Sequence, residues 1–281
     1  MFFDNLMSES DLAIERRRAD TDIPGVDYRK ERTVGGVWER ISITSEEGAR
    51  EIGRPCGCYD TLNIRKIDTL DPSDIDDARE EIAKELCILC DREDIRPGRI
   101  LVVGLGNRNL TPDALGPLTA ERITPTFNIK RRDRRMFDAL ECSEIAVIAP
   151  GVESSSGIDT KEYVLGVCGR VKPDLVIAVD ALASRSEERL GTTIQMSTTG
   201  IIAGSGLGGS KSSINEDTLG VPVISIGAPT VINSTILKGG LPSTGSTRSE
   251  MFVSPKEIDG IVRAAADIIS GGINQAFGII Y

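Results

Sequence analysis

Residues 99–117 read "RILVVGLGNRNLTPDALGP". The first eight are a strand-length apolar run, and the remainder carries the Asn, Pro and Gly of a loop. An apolar run without alternation is the pattern of a strand buried on both faces of a parallel sheet. The loop that leaves such a strand at its carboxyl end is where open α/β sheets place their ligands. Within it Thr111 can cap a helix, Pro112 can take the first helical position and Asp113 can follow, opening a helix at "ALGPLTAERI". Asp113 thus reads either as a helix-opening acid or as a functional carboxylate, and a second carboxylate is needed before chemistry follows.

Further strands are expected at "EIAVIAPGV" (144–152), "DLVIAVDAL" (174–182), "TTIQMS" (192–197) and "VPVISIGAP" (221–229). Helical spacing marks "TKEYVLGVCGRV" (160–171) and "PKEIDGIVRAAADIISGGINQAF" (255–277), while "DPSDIDDAREEIAKELCILCDRED" (71–94) is a helix capped by Asp71 or Ser73. Alternating strand, loop and helix predict a three-layer α/β/α sandwich with a mostly parallel central sheet. Ahead of it, "GGVWERISITSEEGAREIG" to "CYDTLNI" reads as strands around a short helix, with Trp38, Ile41 and Ile43 on one face. Residues 1 to about 30 are charged and without period, and "GLPSTGSTRSE" near residue 245 reads as an exposed loop.

The composition excludes more than it suggests. The 281 residues contain no histidine, which removes Ser-His-Asp and Cys-His catalysis and His-ligated zinc together. A net charge of −10 argues against direct nucleic-acid binding and anionic membranes, and the one basic run, "KRRDRR" at Lys130 to Arg135, reads as solvated surface. With no secretory signal and no apolar run long enough to span a bilayer, a cytoplasmic location is expected. Cys56, Cys58, Cys87 and Cys90 offer four thiolates, but the Cys-x-Cys spacing departs from zinc ribbons and "IAKELCILC" has the spacing of a buried helix face, so neither metal nor other cofactor is expected.

The second carboxylate is Asp180, read as the carboxyl end of the strand "DLVIAVD" or as a cap for a following helix "LASRSEERL". If the strands that lead to Asp113 and Asp180 are neighbours, both carboxylates open onto one crevice. Paired carboxylates share a proton, so that one activates water while the other protonates a leaving amine. The rival reading, a non-catalytic nucleotide-binding module, rests on "GLGNRN" and "GSGLGG", neither of which has the spacing of a phosphate loop.

Taken in order, "SDLAIE", "VVGLGNRNLTPDALGP", "VIAVDALASR", "TTIQMSTTG", "GSGLGG", "DTLGVPVISIGAPTV" and "VSPKEID" resemble the germination protease family of spore-forming bacteria over nearly the whole chain. The resemblance implies a fold related to hydrogenase maturation proteases and an atypical aspartic endopeptidase that degrades small acid-soluble spore proteins in the spore core during germination. It implies synthesis as a zymogen, a homotetramer, catalytic carboxylates at Asp113 and Asp180, and removal of residues 1–11 by cleavage between Asp11 and Leu12, leaving a single peptidase domain, 12–281. The charged text around that bond is expected to leave it extended and accessible. Three features depart from the family: a shortened segment before "PKEID", Arg108 where a tryptophan is usual, and "IIAGSG" in place of a histidine-led motif.

Overall fold

A computed structural model of the chain describes residues 10–17, 23–203, 212–233 and 252–279. Its strands are β1 Val26–Arg32, β2 Val37–Ile43, β3 Gly57–Asn63, β4 Arg99–Gly104, β5 Glu144–Ile148, β6 Leu175–Ser184, β7 Thr193–Ser197, β8 Ile201–Ala203, β9 Ser212–Ile214, β10 Val223–Asn233 and β11 Phe252–Val253. The helices are α1 Glu46–Ile52, α2 Pro72–Arg92, α3 Leu115–Ala120, α4 Ile129–Arg132, α5 Arg134–Leu140, α6 Glu153–Ser156, α7 Thr160–Val171, α8 Glu216–Leu219 and α9 Ile258–Ala276. The main sheet runs β1-β2-β3-β7-β10-β6-β4-β5, with β11 beside β10. The predicted α/β/α sandwich is present. Strands β5, β4, β6 and β10 form its parallel part, and an antiparallel ribbon of β7, β3, β2 and β1 extends it.

The two faces are covered differently. On one, α2, α3 and α9 bury a continuous apolar layer against Trp38, Leu62, Val102, Ile177 and Ile226. On the other, α7 and α8 cover Leu101, Val103, Val176 and Ala178, while α1 and the segment Ser10–Arg17 cover Ile41, Ile43 and Tyr59. Trp38 therefore lies on the face opposite Ile41 and Ile43, not with them, as the two-residue period of β2 requires. Strand β1 begins at Val26, inside the stretch expected to lack structure.

Helix α2 starts as its sequence says, with the Asp71 carboxylate accepting from the N–H of Asp74 and Pro72 in the first turn. The loop after β4 differs. Thr111–Asp113 is a 3-10 turn, and α3 begins at Leu115 without Thr111 as its cap. What sets α3 is its approach to the sheet. A Cβ on Gly116 would stand 2.2 Å from the carbonyl oxygen of Leu105 and 2.4 Å from that of Val179, so only hydrogen fits between helix and strands. Gly116→Ala should therefore push α3 off β4 and β6 and cost about 3 kcal/mol or more, because overpacking here meets backbone instead of a flexible side chain. The check is urea denaturation, with an unchanged midpoint as the contrary result.

Candidate active site

Strands β4 and β6 are neighbours, and their last shared bond runs from the N–H of Leu105 to the carbonyl of Val179, at 2.8 Å. Each expected carboxylate is placed by one side of that bond. After Leu105 the chain turns through Gly106, whose φ of +107° favours glycine, and whose Cα faces the main chain and carboxyl of Asp113 so closely that a Cβ would lie 2.2 Å from the Asp113 carbonyl oxygen. The N–H of Asn107 donates to Asp113 Oδ2 at 2.8 Å, and the Thr111–Asp113 turn rests on β6, β10 and α9, where Thr111 Oγ1 donates to Asp259. Asp113 thus closes the loop that leaves β4.

Asp180 follows Val179. It does not end its strand, because β6 continues to Ser184 with every residue buried, and no helix follows, only a 3-10 turn at Glu187–Arg189. The Asp180 side chain is 2% exposed and its Oδ1 accepts from the N–H of Ala181 at 2.8 Å. Across the sheet Asp180 stands opposite Gly227 of β10, and Gly227 stands opposite Gln195 of β7. These three residues form one row on one face. Gly227 and Gln195, with Asp11, Leu182, Ser225 and Tyr59, line a cavity of about 40 Å³ on that face, between its two partial coverings.

Burial raises the Asp113 carboxyl from 3.8 to about 6, and the Asn107 N–H opposes part of that rise. A carboxyl that titrates near 6 holds or releases a proton at mildly acidic pH, as general acid–base work requires. The first residues of "GLGNRN" do not present free amides as a phosphate loop would, since the Asn107 N–H is taken by a carboxylate. "GSGLGG" and "GLPSTGSTRSE" lie outside the described residues. Arg108 pairs with Glu121 at the surface. Among the described residues no three Cys, Asp or Glu side chains are grouped to hold a metal ion, and Cys56 and Cys87 are exposed whereas Cys90 is buried.

The segment around Asp11 is not the accessible strand that its charge suggested. Leu12 and Ala13 are fully buried. Where β6 runs past the end of β4, the Asp11 N–H donates to the Ala183 carbonyl at 2.9 Å and Asp11 Oδ2 accepts from the Ala183 N–H at 2.8 Å. Gln195 Nε2 donates to the Asp11 carbonyl at 3.2 Å, and its Oε1 accepts from the Ala13 N–H at 2.8 Å. The Ser10 carbonyl accepts from Arg16 and Arg54, and Glu15 accepts from Ser184 Oγ and from the N–H groups of Arg185 and Ser186. The sequence offered one sign of this: Gln195 is the amide in an otherwise small or apolar strand, "TTIQMS".

Asp113 and Asp180 thus come from the loop after β4 and from the neighbouring strand β6, and the Ser10–Arg17 segment is seated on β6 and β7, an arrangement suited to peptide hydrolysis. The comparisons with known proteins give a family. The family model described as germination protease matches residues 4–240. A germination protease of Caldanaerobacter subterraneus is 38% identical over 95% of this chain and 93% of its own length. One of Clostridium perfringens is 34% identical over 95% and 94%, and one of Oceanobacillus iheyensis 40% identical over 80% and 64%. Among solved structures, a [NiFe] hydrogenase maturation protease of Thermococcus kodakarensis matches at 22% identity and a TM-score of 0.34, covering 66% of this chain and 97% of that one. The chain belongs to the germination protease family and is a peptidase of spore germination. Among the described residues no helix is long and apolar enough to cross a membrane.

The raised Asp113 value has a signed consequence. Its folded value lies above the unfolded one, so the native state binds this proton more tightly and the associated stability, full at low pH, is lost as pH rises from about 4 to about 6. Urea denaturation of wild type and Asp113→Asn across that range should show wild type gaining on the variant as pH falls. A pH-independent difference contradicts the assignment.

Proposed function

We propose that the chain is an atypical aspartic endopeptidase in which Asp113 and Asp180 hydrolyse peptide bonds as a pair. The observation that carries this reading is their placement on either side of the Leu105–Val179 bond, with Asp113 titrating near 6. The deprotonated member takes a proton from water as it attacks the scissile carbonyl, and the protonated member delivers one to the departing amine. The family motifs support small acid-soluble spore proteins in the spore core as substrates, a homotetramer as the working assembly and a zymogen as the form first made. Asp113→Asn and Asp180→Asn should each reduce cleavage of spore-protein peptides by on the order of 10⁴-fold, because groups that act as a unit fail together, while thermal unfolding stays cooperative. Turnover at the wild-type rate by either variant defeats the pair.

The zymogen reading rests on the seated arm. Cleavage between Asp11 and Leu12 releases residues 1–11, and the Asp11 contacts to Ala183 and Gln195 hold that bond against the same face of the sheet as Asp180. The arm is then both obstruction and first substrate. On incubation at mildly acidic pH, wild type should lose the 1–11 fragment by mass spectrometry and gain activity toward added peptides, whereas Asp113→Asn stays full length. Equal trimming of the inactive variant in pure solution removes self-processing, and full activity before trimming removes the obstruction.

A further inference from the structure

The two aspartates supply proton transfers, but nothing yet assigned to the site meets the negative charge that builds on a carbonyl oxygen when water adds to it. We infer that Gln195 is a third catalytic residue, whose side-chain amide grips the scissile peptide and stabilises that oxyanion. The inference rests on the reading that the Asp11–Leu12 bond is the one cut.

Gln195 is 7% exposed and fixed in β7, between β3 and β10. Its two polar atoms are both used, and both on the same segment. Nε2 donates to the carbonyl oxygen of Asp11, and Oε1 accepts from the N–H of Ala13, so one amide group brackets the Asp11–Leu12 bond from both sides. In the sheet Gln195 stands opposite Gly227 and Gly227 opposite Asp180, two strand spacings or about 9.5 Å of backbone separation across a residue without a side chain. The Leu182 side chain lies over Gly227, and the segment that Gln195 grips is seated on this same face, with Asp11 also bonded to Ala183 of the strand that carries Asp180.

The step balances without a further reagent. Water adds to the Asp11 carbonyl carbon while one carboxylate takes its proton. The carbonyl π pair moves to oxygen, where the Nε2–H bond strengthens. As the C–N bond breaks, its electron pair returns to the Leu12 nitrogen and the protonated carboxyl supplies the proton. The pair held on the oxyanion re-forms the carbonyl, and the products are the Asp11 α-carboxylic acid and the Leu12 amine, between which the remaining acid proton passes to give a carboxylate and an ammonium group. A fixed donor aimed at such an oxygen contributes on the order of 10² to 10³ in rate, because it is oriented before the charge forms.

Two substitutions test this in the full-length chain, with formation of the 12–281 product followed by intact mass as a function of pH. Gln195→Met fills similar space with no donor and should slow self-processing by about 10²-fold at every pH. Gln195→Glu accepts from Ala13 whether or not it is ionised, but donates to the Asp11 carbonyl only when protonated. Its rate should approach wild type on the acid side and fall away as its carboxyl ionises, a pH dependence that a purely structural anchor does not produce. A Gln195→Glu profile that superimposes on wild type, or a Gln195→Met variant that processes at the wild-type rate while Asp113→Asn remains uncut, overturns the inference and leaves the aspartate pair standing. A wild-type chain that is never cut between Asp11 and Leu12 overturns the inference together with the zymogen reading.

Discussion

The approach of α3 to the sheet is the constraint on which the site depends. Gly116 lies against the backbone of Leu105 and Val179, and Gly104 lies against Gly116 in turn, with no room for a Cβ on either side. That contact shortens the connection from β4 to α3, which forces the tight path through Gly106 and delivers the Asp113 carboxyl back over the strand end. It also seals the Leu105–Val179 bond, the last rung between β4 and β6. Asp180 is one residue further on, so its position follows from the same rung. A displaced α3 moves one carboxylate and loosens the rung that places the other.

A second set of buried carboxylates shows why burial and a raised pKa do not by themselves define a site. Asp60 on β3 and Glu85 on α2 are fully enclosed, and burial followed by the neighbouring Glu85 carboxyl pushes Asp60 up to about 8. Arg40 holds Glu85 through two bonds of 3.0 and 2.5 Å, and Arg92 reaches Asp60 at 3.1 Å. These groups lie on the face that α2 and α9 cover, and they tie the antiparallel ribbon to α2. Asp113 is only partly buried, and Asp180, itself 2% exposed, lies on the opposite face of the sheet, where α7 and α8 cover one part and α1 with the Ser10–Arg17 segment another. The difference between the two clusters is what covers them, and that is set by which elements pack on which face.

How much of this could be read in the sequence depends on which physical signal each residue carries. The strands of the parallel part and the long helices were legible because apolar period and capping residues are local. Asp180 was legible as a residue of interest but misplaced as a strand end, since a charge closing an apolar run normally meets solvent. Here it is buried within the sheet, and β6 continues through Ala181 and Ala183 to Ser184. The 3-10 turn at Thr111–Asp113 was hidden because its cause is the close approach of Gly116, a contact between distant segments. The docking of Leu12 and Ala13 was hidden for the same reason: a short apolar pair in charged text gains a burial site only when β2 and β3 present Ile41, Ile43 and Tyr59. Gln195 had a local sign, but its meaning lies in register with Gly227 and Asp180, which one strand alone does not state.

The unequal lengths of β4 and β6 connect the fold to its chemistry. β4 ends at Gly104 in register with Val179, whereas β6 continues to Ser184. A strand that outruns its neighbour offers backbone groups that still require partners, and an extended peptide supplies them at no cost in side-chain specificity. Asp11 does so here, through its own N–H and its carboxylate on the two polar groups of Ala183. Such an edge invites unwanted pairing unless something covers it. The arm covers it, with Glu15 clamped on the turn that follows β6. Covering this edge and seating a peptide on β6 are therefore one structural act, because the stretch of β6 left bare by β4 starts at Asp180 and takes in Ala183.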